Sequence, residues 1–309
     1  MAGPRTLLLA GVPTRLEVAD PWLAAAVIDG LGELPPVEAP AELMITDQGD
    51  PTPPAGDPDD TLGVVRAWRR EGVLFRSWGD VVVARADDRA VVLARTGDPA
   101  TVGRAVRQLL PQALGHLLGA HDRVLLHGGA VLDASGAIVV LGPTGTGKST
   151  LVYAARSGGR AVLSDDLVVI TRHGDDLEAT GIPRSLSVAT DGPEGLPADA
   201  RALTDDLRQR WQFPLDGVGG PHPMVAVIVT EHSADTSGHV EPLTASELWD
   251  VVLGSHFAAG EPGRLRAAFP VLAAVSRLPG WRLGHGSDPA TRLTVAAHLL
   301  DSIAHACRV

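Results

Sequence analysis

Residues 142–149 read GPTGTGKS and are followed by Thr150. Gly142, Gly147, Lys148 and Ser149 satisfy the pattern G-x-x-x-x-G-K-[ST], with Pro143, Thr144, Gly145 and Thr146 between them. Glycines let backbone N–H groups converge on phosphate oxygens. A helix beginning at Lys148 would add the positive end of its dipole. Lys148 can then reach the β- and γ-phosphates, and the Ser149 hydroxyl can bind Mg²⁺. This pattern predicts a nucleotide cradle formed by residues 142–150.

Asp165 and Asp166 lie seventeen and eighteen positions beyond Lys148, at the end of the apolar run AVLS. That interval holds one helix and one strand. About ten helical residues travel roughly 15 Å away from the phosphates. Five strand residues return roughly 16 Å. The two lengths match, so the carboxylates are expected beside the loop. A regular strand would point them to opposite faces, whereas a turn would bring both inward. One acid can hold Mg²⁺, and the other can accept a proton from an attacking hydroxyl.

His127 lies fifteen positions before Gly142 in RVLLHGGAVLD. If its strand pairs beside the strand leading into the loop, the imidazole can approach the acids and tune them. Arg184, in IPRSLSV, is a candidate contact for phosphate or an acidic substrate. His222 falls in an expected loop and is assigned no role. Trp211 and Phe213 fit core packing better than a peptide groove.

The elements that must place these residues follow from hydrophobic periodicity. AIVVLG is expected as the strand before the loop, STLVYAARS as the helix after it, and RAVLSDD as the returning strand. LVVITR, MVAVIVT and GWRLGH read as further strands. TASELWDVVLGSHF, GRLRAAFPVLAAVSRL and PATRLTVAAHLLDSIAHA read as helices. Upstream, residues 5–45 alternate strand, helix and strand, and residues 47–60 form an exposed Pro/Gly/Asp-rich loop. Four short strands follow, then a helix over about residues 101–119 with an apolar face and a kink expected at Pro111. The boundary is expected near this helix, giving a smaller N-terminal α+β domain over 1–120 and an α/β domain over 121–309.

Composition narrows the partners. The 309 residues carry a formal net charge of −11, against a nucleic-acid partner held through phosphates. The single cysteine, Cys307, excludes a disulfide framework and fits a reducing cytoplasm. No apolar run approaches the roughly 20 residues of a membrane helix. Lys148 is the only lysine among 26 basic residues. It stands where a phosphate loop needs a compact ammonium rather than a planar fork.

Together, LLHGGAVLDASGAIVVLGPTGTGKSTL and AVLSDDLVVI resemble the catalytic domain of the HPr kinase/phosphorylase family. The resemblance covers roughly residues 120–185 and implies a P-loop kinase domain of the HPr kinase/phosphoenolpyruvate carboxykinase type. It implies ATP and Mg²⁺, with Ser149 holding the metal, Lys148 stabilising phosphate and His127 supporting the acid pair. Asp166 would be the base and Asp165 the acid on the metal side. The segment ATGIPRSLSV departs from that family's glycine-rich signature. The layout is similar instead to the HPr-kinase-related branch that includes lasso-peptide kinases, which phosphorylate a serine on a precursor peptide. The expectation is a cytoplasmic serine kinase acting on a precursor peptide or small protein, with homo-oligomerisation possible. The alternatives are HPr kinase/phosphorylase proper and a nucleotide-binding regulator without transfer activity.

Overall fold

A computed structural model describes residues 4–32, 34–48, 52–62, 65–71, 73–78, 81–86, 89–94, 99–189, 200–205, 208–215, 220–232, 238–257, 262–285 and 289–306. Cys307, most of the 187–200 stretch and residues 216–219 of the expected loop lie outside them. The chain divides into two compact units, Met1–Asp122 and Arg123–Val309.

The first unit contains an eight-stranded sheet. Its strands are β1 (Arg5–Leu9), β2 (Val12–Glu17), β3 (Leu43–Thr46), β4 (Asp60–Leu62), β5 (Val65–Arg70), β6 (Val73–Trp78), β7 (Val81–Ala86) and β8 (Arg89–Ala94). They are ordered β1-β2-β3-β8-β7-β6-β5-β4. Two helices, α1 (Pro21–Leu31) and α2 (Pro99–Gly119), pack against each other, and α2 packs on β6, β7 and β8. The apolar stripe of α2 explains this: Val102, Val106, Leu109, Leu110, Ala113, Leu114, Leu117 and Leu118 are all buried. Pro111 sits inside the helix. Beneath it, Arg85 of β7 and His116 of α2 are both buried and meet side chain to side chain.

The second unit is organised around a nine-stranded sheet. It opens with β9 (Arg123–His127), β10 (Gly129–Asp133) and β11 (Gly136–Leu141). The phosphate loop and α3 (Lys148–Ser157) follow, then β12 (Val162–Ser164), β13 (Leu167–His173) and β14 (Asp176–Gly181). A separate three-stranded sheet holds β15 (Leu186–Ala189), β16 (Arg201–Asp205) and β17 (Arg208–Phe213). The main sheet resumes with β18 (His222–His232), β19 (His239–Leu243) and β20 (Gly280–His285). Helices α4 (Ala245–Gly254), α5 (Pro262–Val275) and α6 (Pro289–Ala306) complete the unit.

The run GAIVVL makes β11 a strand buried on both faces. Ala137, Val139 and Leu141 enter one core with Leu248 and Val252 of α4 and Leu272 and Val275 of α5. Ile138 and Val140 enter the other with Leu151 and Val152 of α3 and Ala296, Leu300 and Ile303 of α6. Period-two alternation thus supplies both faces, and helices cover each. β11 runs parallel to β18 and antiparallel to β10.

One expected pairing differs. RVLLHGGAVLD is two strands rather than one, separated at Gly128. Only β10 pairs with the strand before the loop; β9 pairs with β13 at the far side of the sheet. His222 also proves to belong to a strand, opening β18 opposite Ala179.

At the end of β14, a Cβ on Gly181 would lie 2.0 Å from the backbone oxygen of Leu163. This close crossing brings the chain after β14 over the end of β12. Gly181→Ala is expected to destabilise the protein by at least about 1–3 kcal/mol, because backbone and not a flexible side chain must yield. Gly254→Ala, with nothing within 4 Å of the added carbon, is expected to be neutral or stabilising by a few tenths of a kcal/mol. Denaturant midpoints of the two variants check the contrast.

Candidate active site

The phosphate loop spans the end of β11 and the start of α3. Gly142 has φ 136°, and a Cβ there would lie 2.5 Å from the Thr230 backbone oxygen. Thr230, buried on β18, donates to Leu141 O at 3.2 Å and shares a 2.9 Å hydroxyl contact with Thr146. With the Thr230 proton on Leu141 O, the Thr146 proton serves either Thr230 or Pro143 O, which lies 2.8 Å away. These contacts hold the loop's curve from its neighbouring strand. The N-terminus of α3 receives no side-chain cap, so its first N–H groups are available to a phosphate. Lys148 Nζ donates to Gly142 O at 2.8 Å and Pro143 O at 3.1 Å. Burial pulls the Lys148 ammonium below its ordinary range, against the opposing pull of the Asp166 and Asp165 charges. Thr144 and Gly145 form the exposed rim of the loop, with Thr150 half-buried in the first turn of α3.

The acid pair sits in a bend between β12 and β13, so strand alternation does not separate the two side chains. Asp165 is buried and accepts the backbone N–H of Ser187 at 3.2 Å. Asp166 accepts from His127: Nδ1 and Oδ1 are 2.9 Å apart, which requires the proton on Nδ1. Its other oxygen accepts Nη1 of Arg184, whose side chain is 4% exposed. Burial raises the Asp166 pKa, but the His127 hydrogen bond and the charges of Arg184, His127 and Lys148 outweigh it. The carboxyl is held well below its usual range.

His127 reaches the acids by register. It stands opposite Leu167, the first residue of β13, directly after the acid bend. The backbone of Gly128 donates to Asp166 O at 2.9 Å. On the outer side of β9, Ser255–Phe257 lies antiparallel: His127 N donates to Ser255 O at 2.8 Å and Phe257 N to Leu125 O at 3.3 Å. The Phe257 ring meets the His127 imidazole edge-on at 6.0 Å.

The structure therefore brings His127, Asp166 and Arg184 into direct contact, with Lys148 and Asp165 within electrostatic reach. Trp211 is half-buried on β17 with a buried indole N–H; the Phe213 side chain lies outside the described residues. Sequence reasoning passed over Ser164, Thr230 and Phe257. The first sits beside the acid pair in LSDD, but the others stand 80 or more residues from the loop, with no local signal.

The donor chemistry suits Mg²⁺. Ser149 and Asp165 offer hard oxygens, and the described residues contain no cluster of three His, Cys, Asp or Glu able to hold a metal. Two protein oxygens supplemented by nucleotide phosphates and water fit this ion. None of the helices among the described residues is long and apolar enough to cross a membrane.

No family model matches the chain, and no curated protein does. Among solved structures it is similar to the Hpr(Ser) kinase/phosphatase from Coxiella burnetii, at 11% identity and a TM-score of 0.27. The match covers 58% of this chain and 97% of that one. A likeness at this level carries no argument about activity, which must come from the site.

His256, between Ser255 and Phe257, is buried, and burial lowers its pKa from 6.5 to about 4. As pH falls, the unfolded chain therefore takes up this proton first. The contribution of neutral His256 is complete above pH 6.5 and is lost as pH drops from there through about 4, amounting to roughly 3 kcal/mol. Urea midpoints measured from pH 7 to pH 4 are expected to fall more steeply for the wild type than for His256→Leu. Parallel slopes would show that His256 does not titrate in this way.

Proposed function

We propose that this protein is an ATP–Mg²⁺-dependent kinase that transfers the γ-phosphoryl group to a serine hydroxyl of a precursor peptide or small protein. The observation carrying this reading is the Asp166 carboxylate, bonded to His127 and Arg184 within electrostatic reach of the loop lysine. A phosphate cradle alone serves motors, switches and transferases alike. An oriented carboxylate–imidazole pair beside it is what an incoming hydroxyl requires.

In this reaction the loop N–H groups and the N-terminus of α3 bind the phosphates. Lys148 turns from the Gly142 and Pro143 carbonyls to the β- and γ-phosphates. Ser149 and Asp165 would hold Mg²⁺, which neutralises charge on the phosphates. The acceptor oxygen bonds to the γ-phosphorus as the bond to the ADP oxygen breaks. Asp166, oriented by His127, receives the hydroxyl proton. Its low basicity is compatible with a loose transition state, in which positioning and charge stabilisation supply most of the catalysis. Arg184, nearly enclosed and bonded to Asp166, would keep that carboxylate ionised and in place.

The peptide acceptor rests on the sequence resemblance and on the acidic chain, which disfavours nucleic acid. In this reading the N-terminal unit serves recognition of the peptide or assembly into oligomers.

The direct test incubates the protein with ATP–Mg²⁺ and serine-containing peptides encoded beside its gene, then seeks an added phosphate on serine by mass spectrometry. Phosphate released only as inorganic phosphate, at one rate with or without every peptide, would establish an ATPase instead. ATP binding with no turnover would establish a regulator. Lys148→Arg is expected to lose roughly 10²–10³-fold in turnover while its circular dichroism is unchanged, because the wide guanidinium cannot replace the compact ammonium. Asp166→Asn is expected to retain ATP affinity and lose turnover, as an amide cannot accept the proton. Calorimetric titration beside rate measurement checks both, and near-normal turnover by either variant would remove that residue from the mechanism.

A further inference from the structure

We infer that Ser164 is a positioning residue of this site, whose hydroxyl fixes the bend that aims Asp165 and Asp166 and fastens it to the segment carrying Arg184. The inference rests on the transfer reaction proposed above.

Ser164 is the last residue of β12 and is fully buried, at 0% exposure. Its Oγ donates to Ile182 O at 3.0 Å. The same oxygen accepts the backbone N–H of Asp166 at 3.3 Å and of Leu167 at 3.1 Å. One donor and two acceptor positions are the whole capacity of a hydroxyl, and all three are used. A side chain that only filled space would need none of them.

The partners lie on the two segments that must meet. Asp166 and Leu167 form the bend and the start of β13, where Leu167 faces His127. Ile182 belongs to the segment that crosses β12 beyond Gly181. Its carbonyl also accepts the N–H of Arg184 at 2.8 Å, and its N–H donates to Leu167 O at 3.0 Å. Ser164 therefore joins the backbone bearing Asp166 to the backbone bearing Arg184, whose side chains bond each other. Serine and threonine hydroxyls compete effectively with regular backbone pairing in such local bonds. Here that competition ends β12 and breaks the alternation that would otherwise part the two acids. The phosphate loop stands on other elements, β11 and α3, so binding of metal-free nucleotide does not depend on this joint, whereas Mg²⁺ held through Asp165 does.

The test compares Ser164→Ala, Ser164→Cys and Ser164→Thr with the wild type in kcat, calorimetric ATP affinity and the NMR signal of the His127 Nδ1 proton. Alanine and cysteine lack an effective hydroxyl; threonine retains one. The expected result is a roughly hundredfold loss of kcat for alanine and cysteine, the scale of a small misplacement of reacting groups. Affinity for ATP measured without Mg²⁺ stays unchanged, the Nδ1 proton exchanges faster, and threonine restores turnover at least in part. Wild-type kcat in a folded alanine variant would overturn the inference, as would parallel loss of kcat and of affinity for ATP without Mg²⁺. If alanine fails to fold, the cysteine–threonine pair decides, and equal turnover of the two would overturn it. A wild type inactive on every acceptor defeats the kinase proposal alone; the Nδ1 proton then still reports whether Ser164 holds Asp166 in place.

Discussion

A single carboxylate organises the second unit's chemistry. Asp166 binds His127 through one oxygen and Arg184 through the other. These two partners stand 57 positions apart, 39 before and 18 after Asp166. Closing the contact demands that β9 pair with β13, that β12 end at Ser164, and that the chain cross back over β12 after Gly181. Each demand is a backbone constraint, and each is met by hydrogen bonds within a buried interior where an unmade bond is costly. Burial alone would favour the protonated acid; the two donors and the nearby lysine keep it charged.

The sheet makes that arrangement rigid. β18 pairs with β11 along one side, while its other side meets β14 near its start and β20 further on. It therefore couples the strand that feeds the phosphate loop to the strands that lead toward the acids. Thr230 of the same strand shapes the loop through Leu141 and Thr146. Because α3 and α6 cover one face and α4 and α5 the other, the loop and the acid bend are both anchored in close-packed cores. Sites built on such elements keep their geometry better than sites on free loops.

Local signals were legible and long-range pairing was not. GPTGTGKS announced the cradle because backbone freedom, lysine and hydroxyl all occur within eight residues. AIVVLG and STLVYAARS correspond to β11 and α3, since a doubly buried strand and an amphipathic helix leave different apolar patterns. The matched reach of helix and strand placed the acids near the loop, but only tertiary structure shows the Ser164 bend between them. His127 approaches Asp166 through β13 and not through the strand beside the loop, a choice of neighbour that periodicity does not encode. The strands β14 to β17 escaped notice because ATGIPRSLSV and QRWQF mix polar and apolar residues without a clean period. Their partners are set by register across turns, which is tertiary information.

The division of labour between the two basic residues follows from their shapes. Lys148 is the chain's only lysine, and its ammonium fits between two carbonyls of its own loop. A point charge on a flexible stem can leave such carbonyls for a phosphate with little rearrangement. Arg184 is nearly enclosed and meets Asp166 with a planar, permanently charged fork. Moving it would leave both its own enclosed guanidinium and the half-buried Asp166 carboxylate without their partner, a larger cost than turning a lysine. Lys148 is therefore suited to follow the nucleotide, whereas Arg184 is suited to keep Asp166 ionised and fixed. A chain that uses arginine at all its other basic positions has lysine at the one that would move in the proposed reaction.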